Sequence, residues 1–495
     1  MTRPTVIVVG GGISGLVSAW TLRDVADVTL LESSERLGGK IETTVFRGRP
    51  LDIGPDAFIV RNTAGVALCE ELGIDTQLIE PSSKNAAIYT RGHLRALPDQ
   101  LVFGIPTRIG ALYRSHVISL WGVLRVLRDR YSRVPLVSEA FAEKVRTGQT
   151  DPTVGEIFAP RFGAAIVSNL IDPLVGGINA SDVKTLSFAS SMPMIFDRII
   201  GQKSVMRALQ RNDQPETTES GSIFRGLGPG MSSLVDTIVN SLSRSGANVI
   251  CNEPVTGLSL DASGAYVLTC RSGQRMADAV ILATPSFVSS DLVRQLSVEL
   301  AEELSEIPYA GVATASFAWA MRDVPQRIAR ELHSLLDIHD GKDSRTTSQT
   351  CLPGSGVLIA RDAKMLSTAT SFTSTKWPRS SREDEIVIRA SVGRHNDAAF
   401  ESLSDEELIE SIRREIKVVL GIAADPLEVL VKRWPRSFPQ YVSGHRARVR
   451  RIEELATGIG VGLVGAAYHG IGLPSCIANA RSVSQRVADR FGPAR

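Results

Sequence analysis

The first forty residues restrict the possible folds of this chain more than any other part of it. Thr5-Val-Ile-Val-Val9 is a short β-branched run of the kind that forms a buried parallel strand. It leads straight into Gly10-Gly11-Gly12-Ile13-Ser14-Gly15, and Leu16-Val-Ser-Ala-Trp-Thr-Leu22 follows with helical spacing. Gly10, Gly12 and Gly15 give the G-x-G-x-x-G pattern. The first allows a tight turn, the second lets backbone approach a pyrophosphate, and the third lets helix pack on strand. The helix N-terminus then faces the phosphates with unpaired N–H groups and a positive dipole end. A second strand, Val28-Thr-Leu-Leu31, ends in Glu32, 22 residues after Gly10, where an acid takes the ribose hydroxyls of an adenosine. A lone glycine pattern is weak evidence. Strand, glycines, helix, strand and acid in register predict a Rossmann-type dinucleotide site.

With 495 residues the chain is too long for one ordinary core, and two or three domains are expected. Apolar residues at 43% and charged residues at 22% describe a soluble globular protein. A formal net charge of +2 argues against a general nucleic-acid binder. The five cysteines are scattered, with no Cys-x-x-Cys and no metal-ligand cluster, and read as free thiols in a reducing cytoplasm. Gly10 to Gly12 would break a signal-peptide helix, and no run approaches the ~20 apolar residues of a membrane span.

The nucleotide motif does not separate FAD from NAD; the next residues do. Glu35-Arg36-Leu37-Gly38-Gly39-Lys40 places a glycine pair and an arginine just after the ribose acid, and resembles the flavin amine oxidase superfamily. In that superfamily this loop runs along the FAD pyrophosphate and ribityl chain. The resemblance implies that Arg36 neutralises phosphate, that Gly38 and Gly39 admit the cofactor, and that Lys40 touches it. A solvated loop charge is the plain alternative for Arg36. The family builds its FAD domain from distant pieces, and two more are visible. Val249 to Leu260, with Asn252-Glu-Pro-Val255 at its centre, resembles the strand whose valine, Val255, backs the adenine; Asp278-Ala-Val-Ile-Leu-Ala-Thr-Pro285 matches a buried family strand. Val461-Gly-Leu-Val-Gly465 precedes Ala466 to Ala480 and a terminal helix, which the family aims at the pyrimidine edge of the flavin. Many relatives carry an acid directly after the glycine. Ala466 departs from that pattern and puts the ribityl contact in doubt.

More specific blocks point within the superfamily. Leu51-Asp-Ile-Gly54-Pro55-Asp56-Ala57-Phe58, Leu170 to Ile178, Arg433-Trp434-Pro435 with Pro439-Gln440-Tyr441, and Tyr468 to Cys476 resemble the porphyrinogen oxidases of the bacterial haem pathway. Their spread covers essentially the whole chain, and the look is nearest to the coproporphyrinogen III oxidase branch. The resemblance implies that Gly54, Pro55, Asp56 and Ala57 line the isoalloxazine. Trp434 would pack near the ring, a plain core tryptophan being the alternative, and Ile471, Gly472 and Leu473 would meet its pyrimidine end. The implied reaction is six-electron oxidation of a porphyrinogen with non-covalent FAD, dioxygen accepting the electrons as hydrogen peroxide. Coproporphyrinogen III carries four propionates, and Arg61 is placed by sequence to meet one; a surface loop charge is the alternative. Protoporphyrinogen IX, with two propionates, is the near alternative. His469 reads as a turn or surface histidine, and no catalytic base or metal ligand is assigned. An amine oxidase is disfavoured by Leu473 at an expected aromatic position and by the absence of cysteine from Lys432 to Tyr441. A GDI-like binding protein is disfavoured by the intact flavin segments.

The expected class is α/β with an α+β substrate domain: a discontinuous Rossmann-type FAD domain of the flavin amine oxidase kind, an antiparallel-sheet substrate domain and a helical domain. The divisions fall at 1–83, 216–289 and 426–495 for FAD, 84–215 for helices and 290–425 for substrate. Strands are expected at Ala313 to Ala320, Gly356 to Arg361, Leu366 to Thr373 and Ile386 to Val392, with a helix from Ser404 to Leu420 capped by Ser404. Gln210 to Ser222 reads as a surface loop, and the arginines 446, 448, 450 and 451 as a solvated helix face. Thr107 to Val134 carries a helical apolar stripe and six arginines against one acid. Such a stretch either lies on an anionic membrane, at the inner face of the cytoplasmic boundary, or packs on the body with its arginines solvated. Oligomeric state is not legible.

Overall fold

A computed structural model describes residues 3–83, 85–210, 222–337, 352–397 and 399–491. Val6 to Val9 are all buried, and β1 (Thr5–Val9) accordingly runs through the middle of a five-stranded sheet. On one side it pairs with β2 (Asp27–Leu31), which pairs in turn with Asn248–Ile250; on the other it pairs with Ala279–Leu282 and then Gly462–Leu463, all in parallel. Its side chains alternate between two cores, as a strand covered on both faces requires. Val6 and Val8 meet α1 (Ile13–Leu22) and the C-terminal helix Leu473–Asp489; Ile7 and Val9 meet the hairpin of Val255–Leu260 with Tyr266–Cys270.

A seven-stranded sheet forms the second layer. Its order is Glu428–Pro439, Tyr309–Ala320, Glu385–Val392, Ser367–Phe372, Gly356–Ile359, Ala87–Thr90 and His93–Ala96. Neighbours are antiparallel except Gly356–Ile359 with Ala87–Thr90. The helices Gln326–Asp337 and Asp405–Leu420 cover one face of it. Ser404 caps the latter in a full capping box with Glu407, as its sequence leads one to expect. Two strand pieces fall where the sequence suggests other structure. Residues 87–96 lie within the stretch read as helical, yet Arg91 and Gly92, both at positive φ, close a two-residue hairpin. Glu428–Pro439 lies within the third flavin segment, yet it pairs along Tyr309–Ala320. Four-residue strands are too short for periodicity to reveal, and Pro435 and Arg436 interrupt the alternation of the longer one.

Helices between residues 109 and 210 enclose a third core around Phe158, Phe162, Phe188 and Phe196. The expected single stripe is broken here. His116, at φ 53°, ends Ile109–Ser115, and Ser119 caps a new helix, Leu120–Arg130. The second helix buries Val123, Val126 and Asp129, and turns Leu120, Trp121 and Leu124 outward. The arginines 448 and 451 are likewise not simply solvated, because they pair with Glu303 and Glu299 of the helix Val298–Ser305. Residues 211–221 of the expected polar loop lie outside the described residues.

Candidate flavin site

The glycine turn has the shape its spacing implies. Gly10 sits at φ +106°, and a side chain there would begin 2.9 Å from the Ala283 carbonyl oxygen. A Cβ at Gly15 would stand 1.8 Å from the Gly10 oxygen, so nothing larger than hydrogen allows helix and strand to approach this closely. At Gly12 the space is open: a Cβ there would meet no protein atom within 4 Å. No side chain caps the first turn of α1, whose N-cap is Gly12, and Ile13 and Ser14 follow with their N–H groups at the helix start. Open room beside uncapped N–H groups fits a pyrophosphate.

Glu32 ends β2 against this turn. One carboxylate oxygen accepts the Gly11 N–H at 2.6 Å and the other the Ser34 N–H at 2.8 Å. The Glu253 and Asn252 N–H groups donate to the Glu32 and Ser34 carbonyls at 2.8 and 2.9 Å, which brings the start of the Val255 strand beside the acid. The Gly38-Gly39 pair lies over the turn, with Gly38 N–H on the Gly11 oxygen at 2.8 Å. Arg36 holds that loop from behind: it donates to the Leu37 and Ile41 carbonyls at 2.9 and 2.8 Å and to that of Gly39, and pairs with Glu42 at 3.2 Å. Glu42 also takes Lys432 at 2.9 Å, whose ammonium lies 4.8 Å above the Trp434 ring, and this sets Trp434 beside the same loop.

The Gly54 to Ala57 loop rests on Lys40; a Cβ at Gly54 would sit 1.9 Å from the Lys40 oxygen. Its carbonyls face the seven-stranded sheet. Arg389 donates to the Asp52 and Gly54 oxygens at 2.7 and 3.1 Å, and Arg379 to that of Asp56 at 3.2 Å. The Asp56 carboxylate accepts Lys376 Nζ at 2.8 Å and Trp377 Nε1 at 2.9 Å, with Arg389 at 3.6 Å. Burial favours its neutral form, but Lys376 and Arg389 outweigh that and hold its pKa below the usual carboxylate range. Asp52 pairs with Arg379, yet burial raises its carboxyl.

The C-terminal piece closes the site. Gly465 N–H bonds Asn479 Oδ1 at 3.2 Å, and the loop runs through Ile471 to Gly472, the N-cap of Leu473–Asp489, where no side chain caps the first turn. Cys476 lies in that turn beside Lys40 and the Ser14 hydroxyl, and burial pushes its thiol up to about 11. Lys40 is crowded enough for burial to lower its ammonium pKa, with the Cys476 sulfur acting the other way. Ile471 packs against the helical core, as do Leu101 and Leu358. The start of α1, the loop at Lys40, the start of the last helix and the helical module therefore meet at one place.

Gly10 to Gly15, Glu32, Arg36, Gly38 to Lys40, Gly54 to Ala57, Trp434 and Ile471 to Leu473 line or support this junction, and Val255 approaches through Glu253. Arg61 lies apart, exposed in the turn before Ala64–Glu71 and without a hydrogen bond or ion pair to any described residue. His469 is the surface histidine expected, paired with Glu453 at 2.8 Å. Sequence reasoning missed Glu42, Lys376, Trp377, Arg379 and Arg389. Each acts on a partner remote in sequence or on backbone, and no local spacing marks such a role.

The family described as flavin containing amine oxidoreductase matches residues 13–488. Coproporphyrinogen III oxidase of Mycobacterium tuberculosis (strain H37Rv) is 31% identical, covering 96% of both chains. Its counterpart in Bacillus subtilis is 28% identical over 95% of each, and human protoporphyrinogen oxidase 26% over 98%. A crystal structure from Exiguobacterium sp. 255-15 superposes with a TM-score of 0.82 at 26% identity, covering 99% of both chains. Putrescine oxidase, at 16% identity and a TM-score of 0.70, shares the fold. With the glycine cradle, the roofing sheet and these relatives together, the chain belongs to the flavin containing amine oxidoreductase family, in its porphyrinogen oxidase branch, and is a flavin-dependent oxidoreductase.

Proposed function

We propose that this enzyme binds FAD without a covalent link and oxidises coproporphyrinogen III to coproporphyrin III for haem synthesis. Six electrons and six protons leave the substrate and pass to three dioxygen molecules as three hydrogen peroxides. The observation that carries this reading is the 31% identity, over 96% of the chain, to a coproporphyrinogen III oxidase. Bound FAD would supply hydride acceptance and its own reoxidation by dioxygen. The chain holds and orients. Gly12 and the uncapped start of α1 take the pyrophosphate, Glu32 the ribose, and Val255 the adenine. Arg36 shapes the Gly38 to Lys40 loop and lends its charge to the phosphates. Gly54 to Ala57, Trp434 and Ile471 to Leu473 surround the ring system. The FAD-binding pieces are 1–83, 216–289 and 426–495 without the strand Glu428–Pro439, the helical domain is 84–215 without residues 87–96, and the substrate domain is 290–425 with both of those strand pieces added. Arg61, exposed and without an ion pair among the described residues, meets a propionate.

The test is kcat/KM for both porphyrinogens in air, followed by porphyrin fluorescence. Preference for coproporphyrinogen supports the reading. Preference for protoporphyrinogen overturns the substrate and leaves the chemistry; turnover of an amine and of neither porphyrinogen overturns both.

The enzyme works in the cytoplasm, and we propose that it docks on the membrane's inner face through Leu120–Arg130. No helix among the described residues is long and apolar enough to cross a membrane. The helix instead presents Trp121, 80% exposed, beside Leu120 and Leu124, and Tyr131 and Val134 follow at 73% and 69%. The arginines 108, 114, 125, 128, 130 and 133 all flank this face and are exposed. Exposed aromatic and aliphatic groups ringed by cations complement an anionic lipid surface.

A further inference from the structure

One side-chain oxygen holds the flavin-facing loop at both of its ends. The Tyr441 hydroxyl donates to the Ala466 carbonyl at 2.6 Å and accepts the Gly470 N–H at 2.7 Å. We propose that Tyr441 is a positioning residue whose hydroxyl sets where the Ile471 to Leu473 backbone and the start of the last helix stand against the flavin. This rests on the FAD reading above.

Other contacts hold the loop at single points: His469 pairs with Glu453 at 2.8 Å, His445 bonds the Tyr468 backbone, and the Cys476 thiol reaches the Gly470 carbonyl at 3.7 Å, but none spans both of its ends. Ala466 contributes only a methyl group, and Gly465 N–H reaches Asn479 at 3.2 Å. Gly470, at φ +125°, turns the chain into Ile471, so a shift of its N–H is passed directly to the residues that follow. The tyrosine is itself rigid. Its ring is 6% exposed and stacks on His445 with centroids 3.9 Å apart and planes 13° from parallel. Its own carbonyl accepts the Ser187 N–H at 2.7 Å, which ties the clamp to the helical module. A buried hydroxyl whose proton and one lone pair are both engaged by backbone is placed to preorganise that backbone. With no capping side chain at Leu473–Asp489, the placement of that turn's N–H groups depends on the loop before it. N–H groups aimed at the pyrimidine edge favour reduced flavin, so their placement sets potential as well as affinity.

The experiment compares wild-type and Tyr441→Phe protein for apoprotein melting, FAD affinity by quenching of flavin fluorescence, and flavin midpoint potential. The substitution removes one oxygen and keeps the stacked ring. The FAD dissociation constant is expected to rise about tenfold and the midpoint potential to fall. A merely structural tyrosine would lower melting and leave the potential alone. Unchanged affinity and potential in Tyr441→Phe overturn the proposal. A wild-type chain that binds no FAD overturns the flavin reading itself. Should Tyr441→Phe not fold, Asn479→Leu, which frees the same loop at Gly465, is expected to weaken FAD binding and lower the potential; no change in either overturns the clamp.

Discussion

Gly12 shows how much one residue can carry. A Cβ there meets open space, so Gly12→Val leaves the fold intact and places its methyl groups where the pyrophosphate would lie. The expected outcome is a folded protein that purifies colourless; recovery of Gly12→Val with stoichiometric FAD would show the dinucleotide assignment wrong. His445 makes a second residue-scale prediction. Burial, aided by Arg448 and His469, pushes its imidazole down to about 4, whereas an unfolded histidine titrates near 6.5. Between those values the unfolded chain binds a proton that the native one refuses. Stability therefore declines as pH falls from about 6.5 to about 4, by about 3 kcal/mol in all, and this contribution is intact above that window. His445→Phe, which keeps the stack on Tyr441, should flatten that part of the melting-temperature profile; an unaltered slope would place the acid sensitivity elsewhere. The glycines were legible because close approach admits no other residue. Arg389 was not, since its partners lie 337 and 335 positions away.

At the scale of elements, β1, α1 and β2 came out of the sequence nearly residue for residue, because strand and helix periodicities change abruptly at the glycines. The stretch from 107 to 134 did not. Counting apolar positions at helical spacing joined Leu112 and Val117, which are buried, to Leu120 and Leu124, which are exposed. The left-handed turn at His116 rotates the second helix, so that Val123 and Val126 face inward instead. That rotation is what leaves Trp121 in solvent, and it makes the lipid proposal testable. The protein should sediment with phosphatidylserine vesicles at low salt and come off as salt screens the arginines. Trp121→Ser with Arg128→Gln should reduce that binding several-fold without changing melting, because both side chains are exposed. Equal sedimentation with neutral vesicles, or none at low salt, would rule out the proposed surface.

For the whole molecule, the flavin piece and the seven-stranded sheet are joined where Asp56 meets Lys376 and Trp377, 320 and 321 positions on. Breaking a buried pair leaves a charge uncompensated. Asp56→Asn is therefore expected to cost about 3 kcal/mol in denaturant unfolding, with FAD affinity falling as the Gly54 loop loosens. A neutral result would reduce the latch to a bystander. The parallel sheet was readable from local signals except at Asn248–Ile250, which the sequence runs together with Val255–Leu260 of another sheet; membership of the larger sheet was not readable, since Ala87–Thr90 and Glu428–Pro439 acquire their place only by pairing with distant partners. The same long-range construction bears on biosynthesis. The strand at residues 279–282 lacks its neighbour at Gly462–Leu463 until about 180 further residues have been made, and residues 5–9 lack the cover of Leu473–Asp489 until slightly later still. At roughly 5–20 residues per second, the nascent polypeptide carries a hydrophobic, unpaired edge for tens of seconds. A complete cofactor cradle thereby exists only after the segment Leu473–Asp489 has been made, however early its glycine turn emerges.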